Sequence, residues 1–270
     1  MMVDDTTTSS VMVSGARISY RTIGPRSDPT VMLVHGGAAH SGWWDAMLPV
    51  VATDRRVVLP DLSGHGDSDH RETYSAAIWA DELAAVLDRI GDAPVPVVGH
   101  SMGGTIGVTL AARHPDLVAS LVLIDSRLPL LGLPRPSSQP RYFASRQEAL
   151  SRFRLAPPQT SAEPGLLRAI AERGLRETRD GWRWKFDPAA RRRLLNDEVS
   201  ADLRSVRCPV GYIYGTKSDL GGPDTVRFLE RELGREVPSE AIAGAFHHVL
   251  LDKPIECAAA SLRMIDVLRA

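Results

Sequence analysis

Gly99-His100-Ser101-Met102-Gly103 stands between an apolar run, Val95 to Val98, and a helix-like stretch from Gly104 to Arg113. A strand that passes into a helix through so short a turn crowds its flanks. Glycine at positions 99 and 103 relieves that crowding and leaves a serine in a strained conformation with its hydroxyl projecting. The helix behind the turn presents the positive end of its dipole and points the amide of Met102 at an oxygen under attack. Ser101 is therefore the candidate nucleophile.

A serine hydroxyl is a poor nucleophile near neutral pH, so it needs a base and an acid that orients the base. Gly244-Ala245-Phe246-His247-His248, ahead of a final helical pattern, supplies His247 as the candidate base, with His248 as its competitor. The apolar run Val210 to Tyr214 ends in Gly215-Thr216-Lys217-Ser218-Asp219. That sets Asp219 just past the carboxyl end of a strand, where open α/β sheets assemble their sites. Asp219 is the favoured acid; Asp125, which follows Leu121-Val122-Leu123-Ile124, is the alternative.

The order Ser101, Asp219, His247 resembles that of the α/β-hydrolase fold superfamily, in its branch of capped serine esterases and carbon-carbon bond hydrolases. Two further segments are similar to it. His35-Gly36-Gly37-Ala38-Ala39, after Val31 to Val34, resembles the oxyanion loop, and Asp61-Leu62-Ser63-Gly64-His65-Gly66-Asp67-Ser68 resembles a structural D-x-x-G-x-G-x-S loop. The spacing departs at one point, because three residues rather than two separate Gly215 from Asp219. The resemblance implies an oxyanion hole made by the amides of Gly37 and Met102. It also implies hydrolysis of a carboxylic ester, lactone or related acyl bond of a small molecule through an acyl-enzyme, with no cofactor and no metal. Serine at the elbow disfavours the alkyl-enzyme chemistry that an aspartate there would give. Two alternatives stay open: hydrolysis of a carbon-carbon bond beside a ketone, and a small-molecule receptor or a non-hydrolytic member resembling haloperoxidases or hydroxynitrile lyases.

The fold class does not depend on these motifs. Apolar runs at Arg17–Ile23, Val31–Val34, Arg56–Leu59, Val95–Val98, Val118–Ile124, Val210–Tyr214 and Glu236–Ala243 read as strands, and helical patterns alternate with most of them. Trp79, Leu83, Val86, Leu87 and Ile90 recur at helical spacing with Gly91 as the stop, and Pro254 opens a last helix with Ile255, Ala258, Ala259 and Leu262 on one face. Such alternation predicts an α/β architecture, a mostly parallel sheet of about eight strands with helices on both faces. The core is expected from residues 1–128 and 206–270. Between them, in 129–205, prolines crowd the chain and the alternation stops, which predicts a helical cap inserted after the sixth strand. Its helix candidates are Arg141–Arg154, Gly165–Arg179 and Pro188–Asn196.

Two pairs of tryptophans, Trp43/Trp44 and Trp182/Trp184, are placed to floor and roof an apolar pocket. Gly36, His100, Trp44 and Trp182 are the candidate substrate contacts, and His35, His65 and His100 read as hydrogen-bonding supports around the cleft. A formal net charge of -1 over 270 residues, with no basic stripe, argues for a small-molecule substrate and against nucleic acid. No stretch approaches the roughly 20 apolar residues of a membrane span, and no signal segment is evident, so a cytoplasmic location is expected. Cys208 and Cys257 have no ligand spacing and read as reduced thiols. A homo-oligomer is compatible with all of this.

Overall fold

In a computed structural model, which describes residues 6–128, 141–190 and 199–269, an eight-stranded sheet forms the centre of the molecule. Its strands are β1 (Thr7–Val13), β2 (Ala16–Ile23), β3 (Thr30–Val34), β4 (Arg56–Pro60), β5 (Val95–His100), β6 (Val118–Ile124) and, after the insertion, β10 (Val210–Gly215) and β11 (Ser239–Ile242). The spatial order is β1-β2-β4-β3-β5-β6-β10-β11; β2 runs antiparallel to β1 and β4, and the other pairs are parallel.

The alternation of side chains along a strand decides which layer each residue joins. Met32 and Val34 of β3 and Leu121 and Leu123 of β6 belong to one apolar cluster, whereas Val31, Leu33, Val122 and Ile124 belong to the other. A strand buried on both sides has no polar face, which explains why these segments read as continuous apolar runs. The first layer packs α2 (Ala76–Ile90), α3 (Met102–Arg113), α6 (Val199–Ser205) and α7 (Pro223–Leu233). The second packs α1 (Leu48–Val51), the short α8 (Val249–Asp252) and α9 (Pro254–Val267). Helix α2 begins where the Ser75 hydroxyl accepts a hydrogen bond from the Ile78 amide and stops at Gly91, whose φ is 81°.

Some details differ from the sequence reading. Strand β1 has too many exposed Thr and Ser residues to read as a strand, yet its backbone pairs with β2 around a two-residue turn at Ser14 and Gly15, both at positive φ. In α9 the buried stripe is Cys257, Ala258, Ser261, Met264 and Ile265, while Ile255 is exposed, so the helix is rotated from the face expected. The insertion is mixed rather than helical: α4 (Arg146–Ser151) and α5 (Pro164–Arg173) accompany a small sheet in the order β7-β9-β8. That sheet comprises β7 (Tyr142–Phe143), β8 (Leu175–Thr178) and β9 (Gly181–Trp184). The helix expected over Gly165–Arg179 ends at Arg173 because the chain turns at Gly174 and again at Arg179-Asp180 to make a hairpin. Much of the third helix candidate, Pro188–Asn196, lies outside the described residues.

Polar contacts tie the insertion to the core at several places. Arg173 Nη1 reaches Asp45 Oδ2 at 3.0 Å, Lys185 Nζ reaches Asp67 Oδ1 at 2.6 Å, and Tyr74 Oη donates to Asp187 Oδ2 at 2.7 Å. Asp252 joins both parts: its Oδ1 accepts from the Thr160 hydroxyl at 2.5 Å and the Ser161 amide at 2.7 Å, while its Oδ2 accepts from the Phe246 amide at 2.8 Å.

Candidate active site

Ser101 follows the last residue of β5 and caps α3 with φ 52° and ψ −117°. A non-glycine residue held there stores on the order of 1 to 3 kcal/mol of strain and persists only if its surroundings over-determine it. They do. The Ser101 amide donates to the Ile124 carbonyl at 2.9 Å, and its own carbonyl accepts from the Gly104 amide at 3.1 Å. Packing leaves no room for side chains at the flanks: a Cβ on Gly103 would sit 2.3 Å from the Val34 carbonyl oxygen, and one on Gly99 would sit 2.5 Å from the Gly103 backbone. The glycines singled out in the sequence are required by this close approach of strand, turn and loop.

The Ser101 hydroxyl lies 3.1 Å from His247 Nε2, and His247 Nδ1 lies 2.9 Å from Asp125 Oδ1. Asp125 is 0% exposed and at φ 46°, directly after β6, the strand beside β5. It takes the place expected for Asp219. The reason is visible in the loop after β10. Gly215 donates its amide to Asp125 Oδ2 at 3.0 Å and Ser218 donates its hydroxyl to Asp125 Oδ1 at 2.6 Å, whereas Asp219 is exposed. The Gly215–Asp219 segment therefore holds the carboxylate instead of supplying it, and the irregular spacing after Gly215 is the trace of this in the sequence. Ser218 had no signal of its own. His248 faces away from Ser101, with its Nε2 donating to the Pro157 carbonyl at 2.9 Å.

The partners on His247 set its tautomer: Nδ1 carries the proton toward the carboxylate and Nε2 accepts from the hydroxyl. A hydroxyl, an imidazole and a carboxylate in series can pass a proton from the first to the second while the third stabilises the charge. The loop after β3 completes the surroundings. A Cβ on Gly36 would lie 3.4 Å from Ser101 Cβ, and one on Gly37 would lie 3.5 Å from Met102 Sδ, so this loop runs against the elbow. Met102 opens α3, and first-turn amides of a helix have no intrahelical acceptor. The Asp61–Ser68 loop is a brace: Asp61 accepts from the amides of Ser41 at 2.6 Å and Asp67 at 2.9 Å, and the Leu62 amide donates to His35 Nε2 at 3.1 Å.

Comparison with known proteins agrees with this architecture. The model of the alpha/beta hydrolase fold family matches residues 29–254. The chain belongs to this family. It is 40% identical over 112 residues to lipase LipV of Mycobacterium tuberculosis, a match that takes in 40% of this chain and 41% of the lipase. It is 28% identical over 243 residues to esterase Rv0045c of the same organism, covering 84% of this chain and 80% of the esterase. Among solved structures, the thioesterase domain from the curacin biosynthetic pathway superposes with a TM-score of 0.81 at 26% identity, over 96% of this chain and 100% of that domain. Among the described residues of this α/β-hydrolase, no helix is long and apolar enough to cross a membrane.

A cavity of about 410 Å³ opens beside Gly37 and runs under the insertion. Ala39 and Trp43 of the core and Phe153, Ile170, Trp184 and Phe186 of the insertion line it. One ring of each tryptophan pair lines the cavity, Trp43 and Trp184, and neither Trp44 nor Trp182, the two candidate substrate contacts, does. Trp44 is 0% exposed and belongs to the core beneath α1. The short helical turn Ser41–Trp44 aims Trp43 at the cavity instead. Trp182 packs on Phe143 and Leu175 within the small sheet. Gly36 and His100 are buried behind the elbow, where His100 Nε2 donates to the His247 carbonyl at 3.0 Å.

Rings crowd the base. His100 and His248 lie with centroids 4.9 and 5.0 Å from that of His247. Burial, then the neighbouring His247, holds His100 well below the ordinary imidazole value and lowers His248 to about 4. Both are therefore neutral at pH 7 and do not oppose positive charge on His247. The three rings bring nitrogens within 4.8 Å of one another. Both nitrogens of His247 and the Nε2 atoms of His100 and His248 are engaged, leaving two unpartnered nitrogens where transition metals take three or four protein ligands. Burial also raises the Cys208 thiol to about 11 and the Cys257 thiol further, so neither thiol is a nucleophile near neutral pH.

The buried histidines predict acid lability. Desolvation lowers His35, His40, His65, His100 and His248 in the fold, His40 and His248 to about 4 from an ordinary 6.5. Between those values the unfolded chain binds more protons than the folded one, so stability is fully present above pH 6.5 and falls as pH drops toward 4. Thermal melts at half-unit intervals should show the midpoint decreasing throughout that window. A flat profile would contradict the neutral burial of these rings.

Proposed function

We propose that the protein is a serine hydrolase that cleaves a carboxylic ester, thioester or lactone of a small molecule through an acyl-enzyme. The observation that carries this reading is the unbroken series Ser101 Oγ, His247 Nε2, His247 Nδ1 and Asp125 Oδ1, at 3.1 and 2.9 Å. Lipase, esterase and thioesterase relatives support the acyl chemistry.

In the acylation step the Ser101 oxygen bonds to the substrate carbonyl carbon as its proton passes to His247 Nε2. The resulting imidazolium is stabilised by Asp125 through Nδ1–H. Negative charge on the carbonyl oxygen rests on the amides of Gly37 and Met102, each such donor contributing on the order of 10² to 10³ in rate. The bond to the leaving group then breaks, and His247 returns its proton to the departing oxygen or sulfur. Water, deprotonated by His247, adds to the acyl carbon; the bond to Ser101 then breaks as His247 returns that proton to the serine oxygen, and the free acid leaves. The insertion, residues 129–205, acts as a cap that excludes water and shapes the acyl pocket. A fluorophosphonate probe tests the first requirement: peptide mapping should find the adduct on Ser101, and its absence from the folded protein would remove the basis for the mechanism.

A further inference from the structure

The wall that the insertion contributes to the cavity is cationic. Arg141 precedes β7, Arg152 and Arg154 follow α4, and Arg183 stands on β9; all four line the cavity. Other arginines of the insertion hold carboxylates: Arg146 and Arg168 share Glu172, and Arg173 holds Asp45. The four at the cavity have no carboxylate partner among the described residues. Arg154 Nη1 donates only to the carbonyls of Ser151 at 2.9 Å and Phe153 at 2.6 Å. Arg183 Nε donates to the Trp184 carbonyl at 3.3 Å, and its guanidinium lies 6.0 Å from the centre of the Tyr142 ring. None of these contacts cancels charge. No aspartate or glutamate lines the cavity among the described residues; Lys185, which also lines it, is held by Asp67, and the lining residues of the core are apolar apart from His40, which burial holds neutral at pH 7.

Guanidinium groups facing a half-enclosed space with aromatic walls focus a positive potential into it. Their planar forks match the oxygens of carboxylates and phosphates and bind them with charge-assisted hydrogen bonds. We propose that the substrate bears an anionic group, carboxylate or phosphate-like, on the part that fills this cavity. The arginines hold that group while the reacting carbonyl lies at Ser101, beside Gly37. The inference rests on the hydrolase reading for the position of the carbonyl and adds the chemical class of the substrate.

The test compares two esters of near-equal shape, mono-4-nitrophenyl glutarate and 4-nitrophenyl 5-oxohexanoate, with 4-nitrophenyl 4-phosphonobutyrate as the phosphate-like arm. Wild-type kcat/KM should favour an anionic ester by about tenfold or more, less so as salt is raised. Arg152→Gln and Arg154→Gln, at exposed positions, should each lower the anionic-to-neutral ratio by roughly 5- to 50-fold. The larger ratio of the two anionic esters identifies the group. A wild type that prefers the neutral ester, or variants that lower all three alike, would overturn the proposal. Calorimetric titration of Ser101→Ala with monomethyl glutarate and with phenylphosphonate reads anion binding without turnover. Binding that weakens in the arginine variants supports the anion site even if no ester is cleaved, an outcome that would sink the hydrolase reading alone. Cleavage of the neutral ester without anion binding would sink the anion site alone.

Discussion

Ser101→Ala is expected to lower turnover of a 4-nitrophenyl ester by roughly 10³ to 10⁶, with what remains coming from the oxyanion amides and substrate binding. The backbone at φ 52° is imposed by the Ile124 and Gly104 hydrogen bonds and by the closed space around Gly99 and Gly103, none of which involves the serine side chain. The variant should therefore fold with a melting temperature close to that of the parent. Loss of activity with an unchanged melt identifies the hydroxyl as the reacting group. A variant that keeps most of its ester turnover would reject the mechanism at its first step.

Asp125→Asn and Asp219→Asn should separate by orders of magnitude. The carboxylate of Asp125 accepts three hydrogen bonds, from His247, Gly215 and Ser218. An amide in its place offers its NH2 group toward one of these donors and favours the tautomer of His247 that cannot accept the serine proton. The expected loss in kcat/KM is roughly 10³ to 10⁴, with KM changing far less than kcat. Asp219 is exposed and has no part in this network, so its substitution should move kcat/KM by less than about threefold. Equal damage from both substitutions, or harm from Asp219→Asn alone, would return the acid to the loop after β10.

That pair of aspartates marks where the sequence stops being legible. Strand runs such as Val31–Val34 and Val118–Ile124 are readable because strands covered on both faces must be apolar throughout. The elbow is readable because close approach admits only glycine at 99 and 103. Which carboxylate meets His247 depends instead on the path of two loops over the sheet edge, and sequence order alone allows both. Similarly, Trp43 and Trp44 are adjacent, and only the hydrogen bond from the Gly42 amide to His40 Nδ1 and the turn that follows decide which ring reaches the cavity. The hairpin of the insertion was hidden for another reason: its strands are short and half-buried, so Leu175–Thr178 fits a helix extension as well as a strand. The arginines of the cavity are spread from position 141 to 183, and only folding gathers them.

Asp252 gives this arrangement a consequence for exchange between relatives. One oxygen grips Thr160 and Ser161 in the roof, and the other grips the peptide just ahead of His247. A chimaera that borrows its roof from another member of the family must import a hydroxyl and an amide to meet that carboxylate. Otherwise a buried anion loses two of these three donors, and the looseness travels one residue along the chain to the base.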